Sequence, residues 1–155
     1  AVYVTFIGRG LLKDFRDVKG DGAFGKRTFL LRHGRLATCA LSAAAWISGA
    51  VLIAFAVPPV SALAVAFAVY LACALLGLYL LYRSDGYVEE QVTIGAIARV
   101  GSAMAITLLA HLVMTIRGFP EAGQAAVVAA LALFFVAVFA TTLADARRVT
   151  AIRPY

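Results

Sequence analysis

Charge is scarce in this sequence. Asp, Glu, Lys and Arg together make up 14% of 155 residues, 63% are hydrophobic, and the mean hydropathy is +0.93. A soluble domain of this size carries about a quarter of its residues as charges on its surface, so that class is excluded. Acidic residues are the scarcer sign, 8 against 14 basic ones, for a net charge of +6. The excess does not point to nucleic acid, because no basic stripe with interleaved aromatics is present. The two cysteines, Cys39 and Cys73, lie in apolar runs without CxxC spacing. They are expected as buried, inert thiols and say nothing of redox compartment. No second His or Cys joins His111 in a metal set. Ser42, Ser48 and Ser102 lack His–Asp partners, which excludes a serine hydrolase. There is no starting Met and no signal peptide with a charged leading region. The first residues, Ala-Val-Tyr-Val-Thr-Phe-Ile, are already apolar, and the expectation is that an N-terminal part precedes them.

What is present is a set of long apolar runs with the charges gathered between them. Residues 36–57 and 61–82 each run for 22 positions without a charge. At about 1.5 Å per residue, 22 residues cover about 33 Å, enough to cross a hydrocarbon core of about 30 Å. Pro58-Pro59 separates the two runs as a tight turn. Tyr79 and Tyr82 suit an interfacial aromatic belt. A polar stretch, 83–91, contains the turn signal Asp85-Gly86. The third run, about 92–116, has Arg99 near its start and His111 inside it. A short loop, 117–122, leads to the fourth run, 123–144, again without a charge. The fold class is therefore an all-α, polytopic transmembrane helical bundle, in which residues 1–35 precede four spans (about 36–57, 61–82, 92–116 and 123–144) and a short tail. Glycines and alanines in the spans allow close helix approach in lipid.

Eight of the 14 basic residues precede the first complete span: Arg9, Lys13, Arg16, Lys19, Lys26, Arg27, Arg32 and Arg35. Four crossings place this segment, the 83–91 loop and the tail with Arg147, Arg148 and Arg153 on one side. The other side has Arg117. The positive-inside rule makes the basic side cytoplasmic, so the protein is expected in the cell membrane with its N-terminal segment and C-terminus in the cytoplasm.

One segment carries chemistry. Asp14, Asp17 and Asp21 stand at i, i+3 and i+7, a spacing that places them on one face of a helix. Three carboxylates so close repel one another unless a cation lies between them. Hard oxygen ligands suit Mg2+, which is usually held by a few carboxylates together with substrate phosphates. Gly10, one turn earlier, leaves space beside that face, and Gly20, Gly22 and Gly25 end the helix near Gly20. Lys13, Lys19, Lys26 and Arg27 surround the acids and can neutralise a diphosphate beyond what one magnesium ion does. The segment reads as a magnesium–diphosphate cradle at the membrane surface. The plainer alternative is a solvated loop of mixed charge beside the membrane.

Lys13-Asp14, Asp17, Gly20-Asp21 and Gly25-Lys26-Arg27-Thr28 together resemble the second aspartate-rich motif of the UbiA family of membrane prenyltransferases. The match covers about 16 residues and, with the downstream spans, most of this chain, but only the C-terminal half of a typical family member. The resemblance implies that two such motifs face each other across a central cavity and hold magnesium on the diphosphate of a polyprenyl donor. It implies ionisation of the allylic carbon–oxygen bond and attack on the carbocation by an acceptor, often an aromatic ring, with the apolar bundle accommodating the isoprenoid tail. Asp14, Asp17 and Asp21 would be the catalytic, metal-binding residues, with Lys13, Lys26 and Arg27 on the diphosphate. Two departures stand beside it. The family's first motif, Asn-Asp-x-x-Asp-x-x-x-Asp, is absent from residues 29–155, so the fold is expected to be incomplete and the chain inactive without a missing N-terminal half or a complementary chain. The family also has three spans after this motif where four runs are found here, so the third run is either a span or partly an interfacial helix.

Other residues yield less. Arg99 is expected as a snorkelling anchor or a contact with a cytoplasmic cavity, with Glu89 and Glu90 as partners or as part of a solvated loop. His111 is expected as a hydrogen-bonded packing residue, and Trp46 as packing or lipid-facing. A CDP-alcohol phosphotransferase is disfavoured because its Asp-Gly-x-x-Ala-Arg core is missing. From a different class, a non-enzymatic four-span subunit that binds anionic lipid or a partner protein through its basic segment remains the alternative.

Overall fold

The computed structural model describes residues 2–17, 24–56, 61–84 and 86–152, with side chains as far as Asp145. Its elements are α1 (Val2–Leu11), α2 (Phe29–Ala56), α3 (Ala62–Arg83), α4 (Tyr87–Ile116) and α5 (Glu121–Ile152), and no strand occurs among the described residues. Residues 13–17 add a helical turn after α1. Helices α2 to α5 are each long and apolar enough to cross a membrane, so the protein is a polytopic transmembrane bundle. In lipid a spanning segment must satisfy its own backbone, and a helix does this with no outside partner.

Each of the four helices covers one apolar run to within a residue, and each extends past it at one end or both. Helix α2 starts before its run at Phe29, α5 continues beyond its run to Ile152, and at the start of α4 Tyr87 to Gln91 join the helix. Helix α4 runs unbroken for 30 residues and is long and apolar enough to cross a membrane, so no break within it sets off a separate interfacial helix. Its start has a physical cause. Glu89 and Glu90 fall in its first turn, where carboxylates complement the unpaired N–H groups. Helix α3 is capped by Ser61, whose hydroxyl accepts from the Ala64 N–H at 3.2 Å. The turn between α4 and α5 closes at Gly118, whose φ of 71° is a left-handed conformation that favours glycine. Pro58-Pro59 and Asp85 lie outside the described residues.

Helix α2 is interrupted at Gly34, with φ 80° and ψ 175°. Residues 29–33 therefore form a separate first turn, and the span proper starts at Arg35. Thr38 Oγ1 donates to the Gly34 carbonyl at 2.9 Å and partly repairs the break.

Neighbouring helices pack α1 on α2, α2 on α3, α3 on α4 and α4 on α5, with α3 also against α5 and α1 against α4. The core is built from small residues and a few large ones. Gly8 lies where a Cβ would be 2.9 Å from the Ser42 carbonyl oxygen, and Gly77 where it would be 2.6 Å from Ile97 Cγ1. These two approaches are too close for any side chain. Trp46 is 1% exposed and fills the space between Gly8 and Gly101. Buried polar contacts join the helices: Ser42 Oγ donates to Gly8 O at 2.8 Å, and Tyr70 and Thr107 share a hydroxyl bond at 2.9 Å. Cys39 is buried and Cys73 half-buried, both as free thiols.

Candidate functional site at the aspartate end of the bundle

The contacts between helices place the 13–17 turn, the start of α2, the α3–α4 junction and the start of α4 at one end of the bundle. The α4–α5 turn, 117–120, closes the other end. Helix α1 and the turn that follows it dock through Thr5, Gly8, Leu12 and Phe15, all buried. That spacing is one helical face, continued past Leu11. The opposite face carries Gly10, where a Cβ would meet nothing within 4 Å, as the spacing predicts. Asp14 is half-buried at the margin of these two faces, while Lys13 and Asp17 are exposed.

Asp14 makes one contact of note. Its Oδ2 accepts from the Leu30 N–H at 3.5 Å, a long bond across 16 residues. The carboxylate thus lies by the first turn of α2, where N–H groups lack helical partners and the helix end is partly positive. Thr28 supports the same turn by accepting from Leu31 N–H at 3.4 Å. Because Lys26 and Arg27 lead directly into that turn, the structure brings Asp14 and this basic stretch to one place. Lys26 and Arg27 are both exposed. Asp21, and the helix end expected near Gly20, lie outside the described residues.

No three His, Cys, Asp or Glu side chains form a metal-holding group among the described residues. Asp14 and Asp17 are the described pair, three residues apart on one helical turn. Two carboxylates completed by phosphate oxygens and water are a donor set that suits magnesium. The fit therefore rests on hard oxygen chemistry and the open side at Gly10.

Sequence reasoning misplaced one ion pair. Glu90 pairs with Arg35 at 2.8 Å and not with Arg99. Arg35 is half-buried at the head of the α2 span, next to the α3–α4 junction, whereas Arg99 is exposed and donates through Nη1 to Thr142 Oγ1 on α5 at 3.0 Å. The three-dimensional neighbour won over the nearer one in sequence. His111 also differs from expectation: its Nδ1 is enclosed without a hydrogen-bond partner among the described residues. Trp46 packs inside rather than facing lipid. The Arg35 pair had one usable signal in the sequence, a charge immediately after a glycine at the very start of an apolar run.

No protein-family model, curated protein or solved structure matches this chain.

Proposed function

We propose that this chain supplies the second diphosphate-binding half of a magnesium-dependent polyprenyl transferase of the UbiA type. The observation that supports the reading is the convergence of Asp14, at the open Gly10 side of its turn, with the Lys26-Arg27 approach to α2. The carboxylates of Asp14 and Asp17 offer hard oxygens at the membrane boundary. Lys13, Lys26 and Arg27 offer the positive charge that a diphosphate needs, and Arg27 can bind it bidentately. Asp21 completes the motif. Magnesium bound here would supply Lewis-acid stabilisation of the departing diphosphate. The four apolar helices give the isoprenoid tail a non-aqueous environment. The diphosphate leaves with the electron pair of the carbon–oxygen bond. The acceptor, an aromatic ring in the simplest case, attacks the allylic carbon and then releases its displaced proton to the departed diphosphate or water. The first aspartate-rich motif comes from a preceding segment or a second polypeptide. By the positive-inside rule, the basic residues clustered at this end favour the cytoplasmic side of the cell membrane for it and for the C-terminus.

The test is prenyl transfer by the complete enzyme, with radiolabelled polyprenyl diphosphates and a panel of acceptors, with and without magnesium. Asp14→Asn and Asp17→Asn are expected to lower transfer by about a hundredfold or more, the scale of losing one electrostatic group in an active site. Full activity in both variants sinks the reading.

The bond from Leu30 N–H to Asp14 favours a second reading, in which that carboxylate only supports the start of α2 and the chain is a non-enzymatic subunit that binds anionic lipid. Under it, Asp14→Ala lowers stability by about 1 kcal/mol and leaves function intact.

A further inference from the structure

The Arg35 guanidinium ties together parts of the chain that are far apart in sequence. Its Nε and Nη2 donate to the Leu81 carbonyl at 3.1 and 2.6 Å, and Nη2 also donates to Ser84 Oγ at 2.9 Å. Leu81 O is one of the last carbonyls of α3, which have no partner within the helix. Ser84 Oγ donates to the same carbonyl at 2.9 Å. Nη2 lies 2.8 Å from Glu90 Oε1, in the first turn of α4. The cation thus meets the negative end of α3, and the anion the positive end of α4. The fourth contact reaches the candidate site: the guanidinium carbon stands 5.6 Å from the centre of the Phe15 ring. Phe15 is buried and follows Asp14 directly. The break at Gly34 sets the direction in which Arg35 leaves the helix and turns residues 29–33, with Leu30, toward Asp14.

The geometry points to Arg35 and Glu90 as positioning residues that hold the aspartate-bearing turn against the α3–α4 junction. They fix the spacing between Asp14 and the Lys26-Arg27 stretch. The claim rests on the transferase reading for its ligand, a magnesium diphosphate, but not for the mechanical tie. A pair serving only the α3–α4 junction would need the Leu81, Ser84 and Glu90 contacts alone. The stacking on Phe15 is what carries the tie across to the aspartates. The Asp14–Leu30 bond, at 3.5 Å, is too long to do this unaided.

The test compares Arg35→Gln and Arg35→Lys with the unaltered complete enzyme in detergent, using two measurements and helicity by circular dichroism. The first is the affinity for Mn2+ with a polyprenyl diphosphate, read by electron paramagnetic resonance. Arg35→Gln is expected to weaken it about tenfold, the usual loss when a group supporting a metal ligand is removed. Arg35→Lys keeps the charge but not the fork, and recovers part of the loss. The second is the rate of tryptic cleavage after Lys26 and Arg27, expected to rise several-fold in Arg35→Gln. Normal helicity with unchanged affinity and unchanged cleavage overturns the proposal. Faster cleavage in a protein whose unaltered form binds no Mn2+–diphosphate upholds the tie and removes the transferase reading. If Arg35→Gln does not fold, Phe15→Leu removes the stacking and leaves the ion pair. The same two shifts are then expected, and their absence overturns the tie.

Discussion

Helices α4 and α5 are neighbours of similar length with opposite characters. Helix α5 has the most apolar central stretch of the four spans, yet 11% of that stretch is buried within the protein. Helix α4 has the least apolar stretch and is 50% buried. In water the order would be reversed, because burial follows hydropathy. Here lipid is as apolar as leucine, so hydropathy selects for contact with lipid, and burial in the protein follows small size and hydrogen bonding. Helix α4 buries Thr93, Ala96, Gly101, Ala103 and Thr107, whereas α5 turns Leu133 and Phe134 outward.

The sharpest way to break this contrast is Leu133→Arg. Leu133 is 72% exposed. On a soluble surface the change would be harmless. Near the middle of a lipid-facing span it is expected to disfavour insertion by about 3 kcal/mol, measured as the inserted fraction in a translocation assay. Next comes Gly77→Leu, which forces α3 away from Ile97 on α4. A loss of about 2 kcal/mol is expected in thermal unfolding in detergent, with no change in insertion. Thr107→Val removes the bond to Tyr70 and leaves a buried hydroxyl unpaired. About 1 kcal/mol is expected, and a Tyr70→Phe change added to it should cost little more. The smallest effect is Leu133→Ala, at most about 0.5 kcal/mol on unfolding, since most of that side chain faces outward. If Leu133→Ala destabilised more than Thr107→Val, α5 would have a protein partner on that face.

How legible this was in the sequence depends on range. The third span, with Arg99 in it, was less plain, but the other three were readable because hydrocarbon thickness imposes a length that no local preference overrides, and uncharged runs of 22 residues display it directly. The overshoot of α4 to Tyr87 was not, because Glu89 and Glu90 look like loop residues until the helix start they stabilise is in view. Asp14 and Asp17 could be placed on a turn from spacing alone. The approach of Asp14 to Leu30 could not, since it depends on the break at Gly34 and on how α1 lies on α2. The Arg35–Glu90 pair was hidden for the same reason. Two residues 55 positions apart meet only after three helices have packed, and the nearer Arg99 offered a plausible decoy.

Trp46 gives the experimenter a built-in lamp. It is the one tryptophan in the chain, and its indole N–H is enclosed without a hydrogen-bond partner among the described residues. An indole so shielded emits at short wavelength and is out of reach of both iodide in water and brominated acyl chains. Because Gly8 of α1 and Gly101 of α4 wall it in, any loosening of α1 should shift that glow to the red and open it to quenchers. The docking of the helix that leads into the aspartates can thus be watched in real time, without a label.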